Sequence, residues 1–141
     1  MALEAEHKRL DPATVARGVR AVLDDPAHGR YFVAERDSRP VGQLMITYEW
    51  SDWRNGNFWW IQSVYVDPPA RRSGVFRALY AHVERLAKDD PAVCGIRLYV
   101  ERENHRAQLT YRHCGMEDAG YVVMEVDYSV AAKAAGGTQN A

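Results

Sequence analysis

The residues with the clearest capacity for chemistry lie where one element of the chain gives way to the next. In VDPPARRSGVFRALYAHV, residues 66–83, Arg71, Arg72 and Arg77 surround one glycine, Gly74, between an apolar run and a stretch with helical spacing. A helix N-terminus carries unpaired N–H groups and about half a positive charge, so a loop that lets oxyanions approach it makes an anion site. Glycine allows close backbone approach, and guanidinium groups suit phosphate. Capture of a phosphorylated ligand is the chemistry this spacing supports; a merely solvated basic turn is the competing reading from charge alone. Neither G-x-x-x-x-G-K-[ST] nor G-x-G-x-x-G is present, which excludes a P-loop and a dinucleotide fingerprint.

A second group is acidic and aromatic. Glu49 and Asp52 flank Trp53, Trp59 and Trp60, a set that can hold a cationic ligand by charge and cation–π contact. Glu49, Asp52 and Glu101 are also the carboxylates available as a general base, although each also reads as a solvated surface group. The five histidines show no metalloprotease or zinc-finger spacing, so no metal is expected. Cys94 and Cys114 lack a paired base and read as small buried residues rather than nucleophiles.

The elements that must position these groups follow from periodicity and caps. Asp11 before Pro12 reads as an N-cap with proline at the first helical position, and Val15, Val19, Val22 and Leu23 mark a surface helix with one buried stripe. Residues 31–36 and 40–50 read as a hairpin, and residues 58–66, after an Asn-Gly turn, as a third antiparallel strand buried on both faces. A helix follows from Val75 to a stop before Pro91, then a strand over 95–101 parallel to 58–66. Asn104 caps a further helix whose buried stripe is Ala107, Thr110, Tyr111 and Cys114, and Gly115 ends it in the left-handed conformation. Residues 120–128 read as a last strand, and 129–141 as a frayed tail. The expectation is one mixed α/β (α+β) domain over residues 1–128.

Composition sets the bounds. The chain of 141 residues is 47% hydrophobic with a net charge of −1, which favours one core and gives no global attraction to nucleic acid or membrane. Two cysteines and no apolar run of membrane-spanning length lead to the expectation of a soluble, cytoplasmic protein.

SVYVDPPARRSGVFRAL resembles the acyl-coenzyme A binding segment of the GNAT acetyltransferase superfamily, with Arg71, Gly74 and Phe76 on the pattern Q/R-x-x-G-x-G/A. NHRAQLTYRHCGM matches the superfamily's N-x-x-A-x-x-x-Y-x-x-x-G-F/M at Asn104, Ala107, Tyr111, Gly115 and Met116. The resemblance covers about residues 11–128. It implies a central mixed sheet with helices on both faces. It also implies acetyl-CoA as co-substrate, pantetheine paired along Val64, Tyr65 and Val66, and pyrophosphate on the amides of Arg72, Ser73, Gly74, Val75, Phe76 and Arg77. By the same resemblance Tyr111 protonates the departing sulfur; a tyrosine of the helix's buried stripe fits the spacing as well.

TYEWSDWRNGNFWWIQSVYV is similar to the corresponding stretch of the polyamine and thialysine acetyltransferases, which carry a carboxylate where this chain has Gln62. Glutamine can orient a water or an amine but cannot take its proton. The function expected is direct acetyl transfer to a primary amine of a small molecule, with Tyr111, Gln62 and Glu49 at the reaction and Asp52, Trp53 and Trp60 around the acceptor. A non-catalytic acyl-CoA-binding or interaction domain is the alternative. Two departures from the superfamily stand out: bulky Phe76 replaces a small residue, and its usual first strand is missing, which exposes a sheet edge and makes a homodimer the expected remedy.

Overall fold

The structure is a computed structural model that describes residues 10–129. Asp11 starts the first helix as its residue type predicts: the carboxylate accepts the Thr14 N–H at 3.2 Å and the Thr14 hydroxyl at 2.6 Å. Those bonds hold its carboxyl below the usual range. The helix, α1, spans Pro12–Asp24, followed by β1 (Arg30–Arg36), β2 (Arg39–Ser51) and β3 (Gly56–Val66). A 3-10 turn, Pro68–Ala70, leads to α2 (Val75–Asp89), β4 (Val93–Leu98) and α3 (His105–His113). The strands form one sheet in the order β1-β2-β3-β4, antiparallel except for the parallel β3/β4 pair.

Local chemistry accounts for the connections. Asp37 and Ser38, the two residues between β1 and β2, both have positive φ, 52° and 63°, the twist that lets a two-residue turn join right-handed strands. Asn104 caps α3 by accepting the Ala107 N–H at 3.2 Å. At the other end Gly115 has φ 89°, with Gly115 N–H bonded to the Arg112 carbonyl and Met116 N–H to that of Tyr111. This double bond pattern around a left-handed glycine is a Schellman turn.

The core lies between α2 and one sheet face. Leu44, Ile46 and Val83 are fully buried, with Phe32, Trp59, Ile61, Val75 and Leu79 around them. Gly42 sets how closely α2 sits: a Cβ there would lie 2.7 Å from Val75 Cγ1 and 3.2 Å from the Tyr65 carbonyl oxygen. The N-terminus of α2 is therefore held against β2, at the residue that pairs with Val66 at the end of β3.

Three expectations are corrected. Residues 120–128 form no strand and are exposed throughout. Their composition favours a strand, but a strand exists only beside a partner, and none of the described residues supplies one. The stripe on α1 is not buried either: Val15, Val19 and Leu23 are exposed, and Val22 is half-buried. Finally, β4 ends at Leu98 rather than continuing to residue 101. All but Leu10 of the segment ahead of Asp11, where a first strand was expected to be missing, and all of the tail but Ser129, lie outside the described residues.

Gly42→Ala is expected to destabilise the fold by about 1–3 kcal/mol, because the added methyl group must push either Val75 or strand backbone aside. Urea unfolding measures it. A loss under about 0.5 kcal/mol would mean that α2 is not seated by this contact.

Candidate active site

The early end of β4 creates the site. Parallel pairing runs from Asn57 with Val93 to Ile61 with Leu98 and stops there. Beyond it β3 continues to Val66, paired only with β2. A bulge marks the point of departure: Met45 pairs with Ser63 and Ile46 with Ile61, so Gln62 is an extra residue on β3. Bulges bend and twist the strand that carries them. Between residues 62 and 66, alternate backbone groups thus face an open side instead of a neighbouring strand.

Past Val66 the chain turns into α2 through the arginine loop. Arg71 is fastened to the strand end, with Nε donating to the Val66 carbonyl at 2.9 Å and the guanidinium 5.8 Å from the Tyr65 ring centre. Arg72 and Gly74 have φ of 61° and 85°. Ser73 donates to the Ala70 carbonyl and receives a bond from Arg36 Nη2 at 3.1 Å. The first helical bond of α2 is Ala78 N–H to the Gly74 carbonyl. The amides of Val75, Phe76 and Arg77 therefore have no acceptor within the helix. Gly74, at the cap position, brings no side chain to cover them, and nothing lies within 4 Å of where its Cβ would be.

A cleft of about 750 Å³ joins these parts: Val64, Tyr65 and Val66 on one side, Arg71, Arg72, Gly74 and the first turn of α2 at its end. Arg106 and Thr110 of α3 close it. The sequence reading passed over Arg106 and placed Thr110 on the buried stripe of α3, whereas Thr110 is exposed; their i,i+4 spacing puts both on one helix face. Phe76 does not fill the cleft. Its ring packs at 6.1 Å from Tyr80 and 5.7 Å from Tyr111, so its bulk is taken up between α2 and α3. Asn104 spends its side-chain oxygen on the helix cap.

Tyr111 is half-buried against Phe76, and burial pushes its phenol up, with Cys114 adding to the shift. It therefore stays protonated through the neutral range, and it lines neither the cleft nor the groove behind it. A second groove of about 840 Å³ lies behind, lined by Tyr80, Glu84 and Cys114 among others. Burial and Glu84 push the Tyr80 phenol up to about 12. Burial likewise raises the Cys114 thiol, opposed by Arg77. This groove contains no open strand backbone, so the first cleft is the better candidate.

The expected acceptor residues are only partly brought together. Gln62 is exposed and donates to Thr47 Oγ1 at 3.0 Å. Glu49 is ion-paired with Arg97 at 3.0 Å, and that guanidinium lies 3.7 Å from the Phe58 ring centre. Trp60 packs on Tyr99 with centroids 4.4 Å apart. Trp53 is 84% exposed in a loop where Asp52 accepts the Trp53 N–H, and Trp59 is buried in the core. The three tryptophans cannot form one cluster, because neighbours on a strand point to opposite faces.

The GNAT acetyltransferase family model matches residues 2–116, and the chain belongs to that family. It is similar to the solved structure of a possible acetyltransferase from Clostridium difficile 630, at 44% identity and a TM-score of 0.85 over 91% of this chain and 84% of that one. At 18% identity it shares the fold of an aminoglycoside 6′-N-acetyltransferase from Acinetobacter haemolyticus, TM-score 0.70 over 90% of each chain. A ribosomal-protein-alanine N-acetyltransferase from Brucella melitensis is alike in fold at 16% identity, TM-score 0.67 over 79% of this chain and 80% of that one. No curated protein matches the sequence. Fold and family together define an acetyltransferase of mixed α/β architecture.

Two outcomes follow from this geometry. Gly74→Ala places a side chain at positive φ, with an expected cost of about 1–2 kcal/mol to folding measured by urea titration. The Tyr80 phenol holds its proton more tightly in the folded chain than in the unfolded one. Its stabilisation is therefore complete below pH 10 and lost as pH rises toward 12, on the order of 2 kcal/mol in all. Unfolding curves taken across that range should decline less steeply for Tyr80→Phe than for the native chain.

Proposed function

We propose that the protein transfers acetyl from acetyl-CoA directly to the primary amine of a small, amino-acid-like molecule. The observation that carries this reading is the continuity of the cleft: the open edge of β3 from Gln62 to Val66 runs into the uncapped amides of Val75, Phe76 and Arg77. An amide-bearing arm can add to that edge as a strand does, and a diphosphate can complete the helix terminus as a capping side chain would. Arg72, Arg77 and Arg106 supply charge around the same point.

The coenzyme brings an acetyl thioester, and the protein's residues must handle the rest. Attack by an amine nitrogen forms the amide bond, the carbon–sulfur bond breaks, the sulfur gains a proton and the nitrogen loses one. A backbone N–H on the open part of β3 is suited to the oxygen that becomes negative. Tyr111 is the proton donor of choice for the sulfur. Gln62 orients the acceptor, and water carries the amine proton, since Glu49 is already committed to Arg97.

That ion pair also bears on the choice of acceptor. Glu49 is neutralised by Arg97, which leaves this side of the sheet without the excess negative charge that a polyamine needs. A molecule bearing both an amine and a carboxylate fits better, with Trp60 and Trp53 offering aromatic surface. Two free thiols, Cys94 and Cys114, suit a reducing, cytoplasmic setting.

Titration calorimetry with acetyl-CoA should give saturable heat, and thiol release should depend on an added amine, with amino-acid-like amines ahead of spermidine. No heat at millimolar coenzyme overturns the reading; binding without turnover for any amine makes this a coenzyme-binding domain instead. Tyr111→Phe should lower kcat by roughly 10²-fold or more while leaving coenzyme affinity in place, and a fall under about tenfold assigns the proton to another group.

A further inference from the structure

On β1, Phe32, Ala34 and Arg36 stand two apart and share the face that α2 covers. Phe32 belongs to the core and Ala34 packs against it. Ala34 pairs with Gly42, the residue on which Val75 sits at the start of α2. Arg36 is therefore next in this row, beyond the end of the helix, where the arginine loop passes. Its Nη2 donates to the Ser73 hydroxyl at 3.1 Å, and that hydroxyl donates in turn to the Ala70 carbonyl.

Nothing in the hairpin itself calls for an arginine at this position. Arg36 stands directly opposite Arg39 across the β1–β2 ladder, and like charges so placed repel. Among the described residues no ion pair joins Arg36 to a carboxylate. The loop that receives it, by contrast, needs a hold. Residues 71–74 are all exposed, and Arg72 has φ 61°, the left-handed region that a side chain disfavours. The bond from Ser73 to Ala70 spans three positions and stays within the loop, whereas Arg36 reaches Ser73 from a strand of the sheet 37 positions away.

We propose that Arg36 is a positioning residue for the coenzyme: acting through the Ser73 hydroxyl, it holds the exit of the arginine loop so that the uncapped amides of Val75, Phe76 and Arg77 stay turned toward the diphosphate. Arg71 fixes the entry of the same loop at Val66. A loop held at both ends meets its ligand already ordered, while a loop held at one end loses affinity to the ordering. The role rests on the coenzyme reading above, and it does not require Arg36 to touch the ligand.

Titration calorimetry with acetyl-CoA on the native chain, Arg36→Gln, Ser73→Ala and the double variant tests this. Arg36 and Ser73 are exposed, so all three variants should keep the native far-ultraviolet spectrum. Each single change should weaken binding about fivefold, and the double change no more than the stronger single one, with kcat at saturating coenzyme within about twofold of native. Losses that multiply in the double variant would mean that Arg36 acts on the ligand by its own charge, and they overturn the proposal, as does a loss under about twofold for Arg36→Gln. Hydrogen exchange without coenzyme reads the loop directly. The Ala78 amide, the first one bonded in α2, should exchange about threefold faster in Arg36→Gln, with the strands unchanged. Equal rates at Ala78 overturn the positioning role even where affinity falls. No heat from the native chain overturns the coenzyme reading instead, and a faster Ala78 amide would then leave Arg36 as a fastener of the loop with no coenzyme to position.

Discussion

The parallel pairing of β3 with β4 stops at Ile61 and Leu98, and the capacity of this chain to hold a ligand depends on that stop. Had β4 continued beside β3 to residue 101, the groups of Gln62 to Val64 would be bonded on both sides and that part of the cleft would be closed. The bulge at Gln62 bends β3 at this level, while the contact of Tyr99 with Trp60 anchors the chain just as it leaves the ladder. The cost is a row of backbone donors and acceptors left to water. A site built from such groups is specific for a partner that offers amides in sequence, because side chains take little part in it.

The arginine loop works on the same economy of backbone. Arg72 and Arg77 are exposed, where charge is screened and each contributes little alone. What is fixed in advance is the direction of three N–H groups at the start of α2, held because Gly42 lets the helix sit close to β2 and because Arg71 ties the loop to Val66. Arg71 is thus a fastener as well as a charge. The arginine that sequence reasoning overlooked, Arg106, stands across the cleft on α3.

Much of the fold was legible because its determinants are local. The Asp11 and Asn104 caps, the left-handed Gly115 and the turn at Asp37–Ser38 involve residues within a few positions of one another, and each was where its type predicted. The order of strands followed from periods and breaks. The site was less legible wherever it depended on pairs distant in sequence. Glu49 and Arg97 are 48 residues apart, and no local pattern shows that one neutralises the other. The aromatic cluster failed for a different reason: proximity in sequence was taken for proximity in space, when the period of a strand sends Trp59 into the core and Trp60 to the far face.

The stripe of α1 and residues 120–128 share a single cause of error. Apolar periodicity says which side of an element gains by being covered; it does not say what covers it. The two sides of β4 show the difference. Its inner side is paired with β3 as far as Leu98, and that stop leaves the backbone beyond Ile61 open. Its outer side bonds to no strand among the described residues, and no periodicity within the six residues of β4 foretells either fact.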